Sequence, residues 1–210
     1  MANAQENNSV ILRFSDVSFK HDIHKQLLDE ASFSVRTGSR ITLMGQNGAG
    51  KSTLFKMITG ELQPTDGNVY ITPKDATIAI ARQVMPQEAL GGTVREYFET
   101  AFKEKTYNLD KLIKEVFAVV NMELPLEKTV RELSGGQQAR LLLAHALIQN
   151  PDILLLDEPT NNLDVGGVEH LTGFLMMYEK TVIVTSHDAD FLNAFFDGVL
   201  YLDVHTKKDE

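Results

Sequence analysis

The chain contains no cysteine, which excludes a disulfide framework and points to a reducing, cytoplasmic location. No apolar run approaches the roughly 20 residues needed to cross a bilayer, so no membrane insertion is expected and a membrane role would need another subunit. The opening MANAQENNS is polar and lacks the basic and apolar stretches of a signal peptide, so residues 1–9 read as a disordered tail. Basic residues are scarce: 20 Lys and Arg face 29 Asp and Glu, a formal charge of −9. Nucleic-acid affinity depends on cations that neutralise phosphates, so direct nucleic-acid binding by this domain alone is not expected. Internal repeats and low-complexity segments are also missing. A length of 210 residues suits one domain with a subdomain and is ample for a real core.

What is present is a set of short motifs in a fixed order. GQNGAGKST, from Gly45 to Thr53, fits the phosphate-loop template, preceded by a strand-like Ile41 to Met44 and followed by a helical Lys51 to Ile58. Gly45, Gly48 and Gly50 let the backbone of Gln46, Asn47 and Ala49 curl so that successive N–H groups face phosphate oxygens. Lys51 would reach the β- and γ-phosphates of ATP, and the Ser52 hydroxyl would ligate Mg²⁺. A dinucleotide-binding fingerprint is excluded, because Thr53 stands where the third glycine would be needed.

A second constellation follows the continuous apolar run Ile153 to Leu156, which reads as a strand of a parallel sheet covered on both faces. Asp157 and Glu158 then fall at its C-terminal end, the edge of an α/β sheet where ligands bind. Asp157 is the expected Mg²⁺ partner, and Glu158 is the candidate to orient or deprotonate an attacking water. LSGGQ supplies a third element: Ser134 is a good N-cap for a helix from Gly135 to about Gln149, and Gly135 and Gly136 leave amides open to an anion.

Together these motifs resemble the nucleotide-binding domain of ATP-binding-cassette proteins, from about Leu12 to Asp203. The resemblance implies an α/β fold: a P-loop NTPase core with a mainly parallel sheet, an N-terminal antiparallel β subdomain and a helical, signature-bearing subdomain. It further implies that Ser134, Gly135, Gly136 and Gln137 act on ATP held by a second cassette, in a head-to-tail pair. By the same resemblance Gln83 touches Mg²⁺ and water, Asn162 to Asp164 cross the pair's interface, and His187 contacts the γ-phosphate. The family usually stacks adenine on an aromatic ring near the N-terminus; here His21 holds that place, which implies a smaller stacking area.

EPTNNLD at Glu158 to Asp164 and SHDADFLN at Ser186 to Asn193 are close to the patterns of the F subfamily, whose members lack membrane domains and act on ribosomes. Only 50 residues separate Gln83 from Ser134, and 88–128 carries six basic and eight acidic residues, which leaves no room for an inserted basic arm. Ribosome contact would therefore come from segments outside this domain. The alternatives are an ATP-hydrolysing subunit of a membrane transporter, and a nucleotide-gated clamp that scarcely turns over, which the presence of Glu158 and His187 disfavours.

Periodicity organises the rest. Val10 to Phe14, Ser32 to Val35 and Val69 to Ile71 read as antiparallel strands. Val94 to Phe102 and Leu109 to Val120 read as amphipathic helices that bury Phe98, Phe102, Leu112, Val116 and Val119. A helix at Val165 to Tyr178 is weakened by Gly166, Gly167 and Gly173, each costing about 1 kcal/mol against alanine. One domain is expected over residues 10–204, with the helical subdomain at about 84–140 and a frayed tail at 205–210.

Overall fold

Two sheets share the structure, a computed structural model describing residues 9–22, 25–194 and 196–203, with the side chains of 21, 22, 25 and 26 excepted. The expected tails fall almost wholly outside those residues, and the side chain of His21 does so entirely. In the first sheet β1 (Val10–Asp22) lies between β2 (Lys25–Arg36) and β4 (Asp66–Ile71), both antiparallel to it. All three strands run longer than their apolar alternation suggests, because pairing along the whole of β1 carries their polar ends. Phe14 and Phe33 stack across the β1–β2 pair at 4.5 Å between ring centres.

The second sheet is wholly parallel, in the order β5 (Ile78–Ala81), β6 (Ile153–Asp157), β7 (Thr181–Thr185), β3 (Arg40–Gly45), β8 (Gly198–Leu202). Alternation sorts its side chains between two cores. Leu154, Leu156, Val182 and Val184 pack toward the helices, while Leu43, Ile153, Leu155 and Ile183 pack toward the first sheet and helix α1 (Lys51–Ile58). Because every strand of this sheet runs the same way, the loops after β3, β5, β6 and β7 emerge along one edge. Those loops carry Gly45 to Gly50, Gln83, Glu158 and His187.

Between β5 and β6 lie the α-helices α2 (Val94–Glu99), α3 (Leu109–Val119) and α4 (Gly135–Leu147). Thr93 and Glu96 form a capping box that starts α2, which ends at Glu99 rather than Phe102. Phe102 still packs against the core from beyond the helix end. On α3 the buried stripe is Ile113, Val116 and Phe117, with Leu112 and Val119 at its margin, a rotation of the expected face that sets Phe117 edge-on to Phe98 of α2. The helix α5 (Val165–Met177) forms despite its glycines, capped by Asp164 and anchored by buried Leu171 and Leu175. A short α6 (Ala189–Asn193), capped by Asp188, and the edge strand β8 complete the order.

The joint between α2 and α4 has a titratable centre. His145 on α4 stacks on Tyr97 of α2 at 4.3 Å, with its Nε2 3.0 Å from the Thr100 hydroxyl. Burial pushes the His145 imidazole down to about 4 and the Tyr97 phenol up to about 12. The unfolded chain takes up the His145 proton near the ordinary value of 6.5, and the folded chain holds it off until about 4. Between those values the unfolded state binds more protons, so this histidine's contribution to stability is lost as pH falls. The melting temperature of His145→Phe, which keeps the stacked ring, should therefore fall less steeply from pH 6.5 to pH 4 than that of the native chain. Parallel slopes in thermal scans would contradict this.

Candidate functional site

The turn between β3 and α1 is shaped by glycine where no other residue fits. Gly45 has φ +152°, and a Cβ there would stand 2.6 Å from the Leu202 carbonyl on β8. Gly50, at φ +102°, is the N-cap of α1 and offers no side chain to that helix's first amides, which stay available to an anion. Lys51 folds back over the loop, its Nζ donating to the carbonyls of Gly45 at 2.6 Å and Gln46 at 3.4 Å.

Opposite stands the end of β6, laced to β7. The Thr185 hydroxyl donates to Asp157 Oδ1 at 2.8 Å, and the Glu158 N–H approaches both the Thr185 carbonyl (3.0 Å) and its Oγ1 (3.1 Å). Glu158 adopts φ +50°, an uncommon conformation for a residue with a Cβ, and strain of order 1–3 kcal/mol there needs surroundings that enforce it. The bonds to Thr185 provide that enforcement. The Glu158 side chain is 11% exposed; its Oε1 lies 3.3 Å from His187 Nε2, and its Oε2 is buried with no hydrogen-bond partner among the described residues. A buried carboxylate oxygen left unpaired is costly, and such atoms are found where a group from outside completes the site.

A cleft of about 520 Å³ joins the two walls. Gln46, Asn47, Gly48, Gly50, Lys51, Ser52 and Thr53 line it from one side, and Gln83, Asp157, Glu158 and His187 from the other. Gly45 roots the loop and Ala49 is buried beneath it, so neither faces the cleft. The turn Ser134–Gln137 also lies apart from the cleft, at the start of α4. There the Ser134 hydroxyl accepts from the Gln137 N–H at 3.3 Å while Gln137 Oε1 accepts from the Ser134 N–H at 3.0 Å, a capping box.

Two lining residues were missed from the sequence, Leu27 and Asn161. Strand alternation was the signal for Leu27: Leu28 is buried in the core, so its neighbour turns the other way, over Gly50. Asn161 stands between the Glu158 strand end and α5, and carried no signal beyond that position.

The donor set suits a hard cation. A hydroxyl from Ser52, a carboxylate from Asp157 and an amide from Gln83 border the same cleft, and Mg²⁺ takes few protein oxygens beside phosphate and water.

Sequence and fold both resemble known proteins. The family model described as "ABC transporter" matches residues 28–161. The chain is 35% identical over 185 residues to the zinc import ATP-binding protein ZnuC of Buchnera aphidicola subsp. Schizaphis graminum, covering 86% of this chain and 76% of that protein. It is 32% identical to ABC transporter F family member 2 of Arabidopsis thaliana, covering 80% of this chain and 31% of that protein. Several curated relatives are thus much longer, this chain spanning between 17% and 47% of their length. Among solved structures, a dimeric ATP-binding cassette in a post-hydrolysis state bound to ADP and Pi superposes with a TM-score of 0.77 at 24% identity, covering 93% of this chain and 97% of that one. A bacterial Atm1-family ABC exporter with ATP bound superposes at 0.79 with 25% identity, covering 96% of this chain and 39% of the exporter. With the phosphate-loop turn and the carboxylate edge facing one another as described, the chain belongs to the ATP-binding-cassette family as one of its nucleotide-binding domains.

Proposed function

We propose that this chain is an ATP-hydrolysing cassette that closes head-to-tail with a second cassette over two bound ATP molecules. The observation that carries this reading is the meeting of Lys51, Ser52, Asp157, Glu158 and His187 around one cleft. The loop amides and the first turn of α1 bind the phosphates, and Lys51 gives its hydrogen bonds to the β- and γ-phosphates in place of the Gly45 and Gln46 carbonyls. Ser52, Asp157 and Gln83 would hold Mg²⁺, which when bound neutralises phosphate charge. Glu158 orients a water and accepts its proton as the oxygen attacks the γ-phosphorus and the bond to ADP breaks. His187 donates to the γ-phosphate oxygens as their charge spreads.

Ser134–Gln137 serve the facing cassette, a role that fits their position outside this chain's own cleft. Loss of the γ-phosphate removes the contacts that favour the closed pair, so each cycle ends in opening. The unit that does this is residues 10–204, with 84–140 as the subdomain that presents the signature turn.

For the wider role, EPTNNLD and SHDADFLN support a cassette of an F-type translation factor working in the cytoplasm, with ribosome contact made by segments beyond this domain. A second reading, a transporter subunit, is favoured by a separate groove of about 540 Å³ beside the end of β5, lined by Ile80, Arg82, Ala89, Tyr97 and Thr100. A partner helix from a membrane subunit would need such a groove.

Turnover per molecule should rise with protein concentration, because each ATP needs a second copy; a rate per molecule that stays flat across the titration would sink the shared-site scheme. Ribosomes added to the ATP-bound, hydrolysis-blocked protein should carry it down on sedimentation if the F-type role holds. Co-purification with membranes and none with ribosomes would select the transporter reading.

A further inference from the structure

Arg140 reaches from α4 to two other elements at once. Its Nη2 donates to Asp164 Oδ1 at 2.5 Å and its Nη1 to the Asn121 carbonyl at 3.3 Å, just past α3. The guanidinium is the enclosed member of the ion pair, with the Arg140 side chain 18% exposed against 70% for Asp164, and its Nε is buried with no partner among the described residues. The same Asp164 Oδ1 accepts from the Gly167 N–H at 2.8 Å as the N-cap of α5. One carboxylate oxygen thus ties α4 to the first turn of α5. Arg140 and this cap hold the Asp164 carboxyl below the usual carboxylate range.

Two glycines make room for the junction. A Cβ on Gly167 would stand 3.0 Å from Asp164 Oδ1 and 3.3 Å from Arg140 Nη2. A Cβ on Gly136, inside the signature turn, would stand 3.3 Å from the Asn162 carbonyl. The signature turn is therefore packed closely on the segment from Glu158 to Asp164 at Gly136, and α4 meets the end of that segment three residues past the turn, at Arg140, with little room for a larger residue at either glycine. The far end of that segment is held as well, by Thr160 Oγ1 at 3.3 Å from Ser186 Oγ next to His187.

We propose that Arg140 is a positioning residue that locks the Ser134–Gln137 turn and the Glu158–Asp164 segment into one body, so that phosphate loss at a domain's own cleft moves the face that domain offers its partner. This rests on the paired-cassette reading above. Glu158 works on the domain's own ATP and the signature turn on the partner's, so a rigid link between them couples the two sites within one chain. Without the link, events at a domain's own cleft would not reach the face that its partner binds, and turnover of the pair would slow.

The test compares Arg140→Ala, Asp164→Asn and the double variant in the full chain. Asparagine keeps an oxygen for the Gly167 amide, so Asp164→Asn removes the charge pair and spares the helix cap. Calorimetry should find ATP affinity within about twofold of the native chain in both, while kcat at saturating ATP falls about tenfold and the double variant loses no more than about twofold beyond the worse single. Hydrogen exchange should rise together at the first turns of α4 and α5 in either variant, whichever side was changed. A native kcat in Asp164→Asn, a double variant equal to the product of the singles, or exchange raised only around the replaced residue would overturn the proposal. If the native chain fails to pair with ATP at all, the function reading falls, and the exchange measurement still decides whether Arg140 links the two elements.

Discussion

Replacing Glu158 with glutamine should leave ATP binding intact while turnover falls by roughly a hundred- to ten-thousand-fold, the range a positioned general base supplies. The argument starts from its environment. The carboxylate is nearly enclosed, one oxygen faces His187 at 3.3 Å, the other has no partner among the described residues, and the backbone is held at φ +50° by Thr185. Glutamine has the same shape, so the turn and the cleft wall should persist, and removing a buried charge should not lower the melting temperature. What is lost is the capacity to take a proton from water. With hydrolysis blocked, the closed pair should accumulate and appear as an ATP-dependent shift to twice the mass on sizing. Turnover within threefold of the native rate would remove Glu158 from the chemistry, and a variant that stays monomeric with ATP would remove the closed pair as the waiting state.

The second large effect is expected from Lys51→Ala, which should weaken ATP binding by about a hundredfold or more. Hydrogen bonds to charged groups contribute about 1.5–3 kcal/mol each, so losing two to phosphate oxygens is enough for this change. Lys51 already spans the mouth of the loop, held by the Gly45 and Gln46 carbonyls at 2.6 and 3.4 Å. Its ammonium is a compact charge with three donors, suited to exchanging carbonyl partners for phosphate ones. Alanine leaves the glycine-shaped turn in place, since Gly45 and Gly50 take their conformations independently of that side chain. Calorimetry with ATP reads the result directly, and native affinity would show that the loop amides alone carry the phosphates.

The two variants differ in what they separate. Glu158→Gln splits chemistry from binding and Lys51→Ala removes binding itself, so a chain that fails both tests has a different active site from the one described.

Much of the site was legible because its residues are clustered in sequence. The turn from Gly45 to Thr53 is one local structure with its own glycine and helix-start requirements, and Ile153 to Glu158 is one buried strand with its ligand-bearing end. Ser134 and Gln137 cap α4 through a bond pattern confined to four residues. Leu27, by contrast, gains its place in the cleft from β2 lying over Gly50, a meeting of segments far apart in the chain. The glycines of α5 looked like simple losses of helix propensity. Gly167 is instead the space occupied by Arg140 and Asp164, which only the packing of α4 on α5 reveals.

By itself the order of residues determined the element types, the phosphate loop, the carboxylate pair and the family they imply, because hydrophobic period, glycine placement and helix caps act over a few neighbours. Tertiary structure alone decided that Glu158 meets His187 with one oxygen unpaired among the described residues, that Leu27 enters the cleft, and that Arg140 joins α4 to the cap of α5. Those relations depend on strand order in the parallel sheet and on the packing of one helix against another. Both arise from burial summed over the whole chain, which no local stretch encodes.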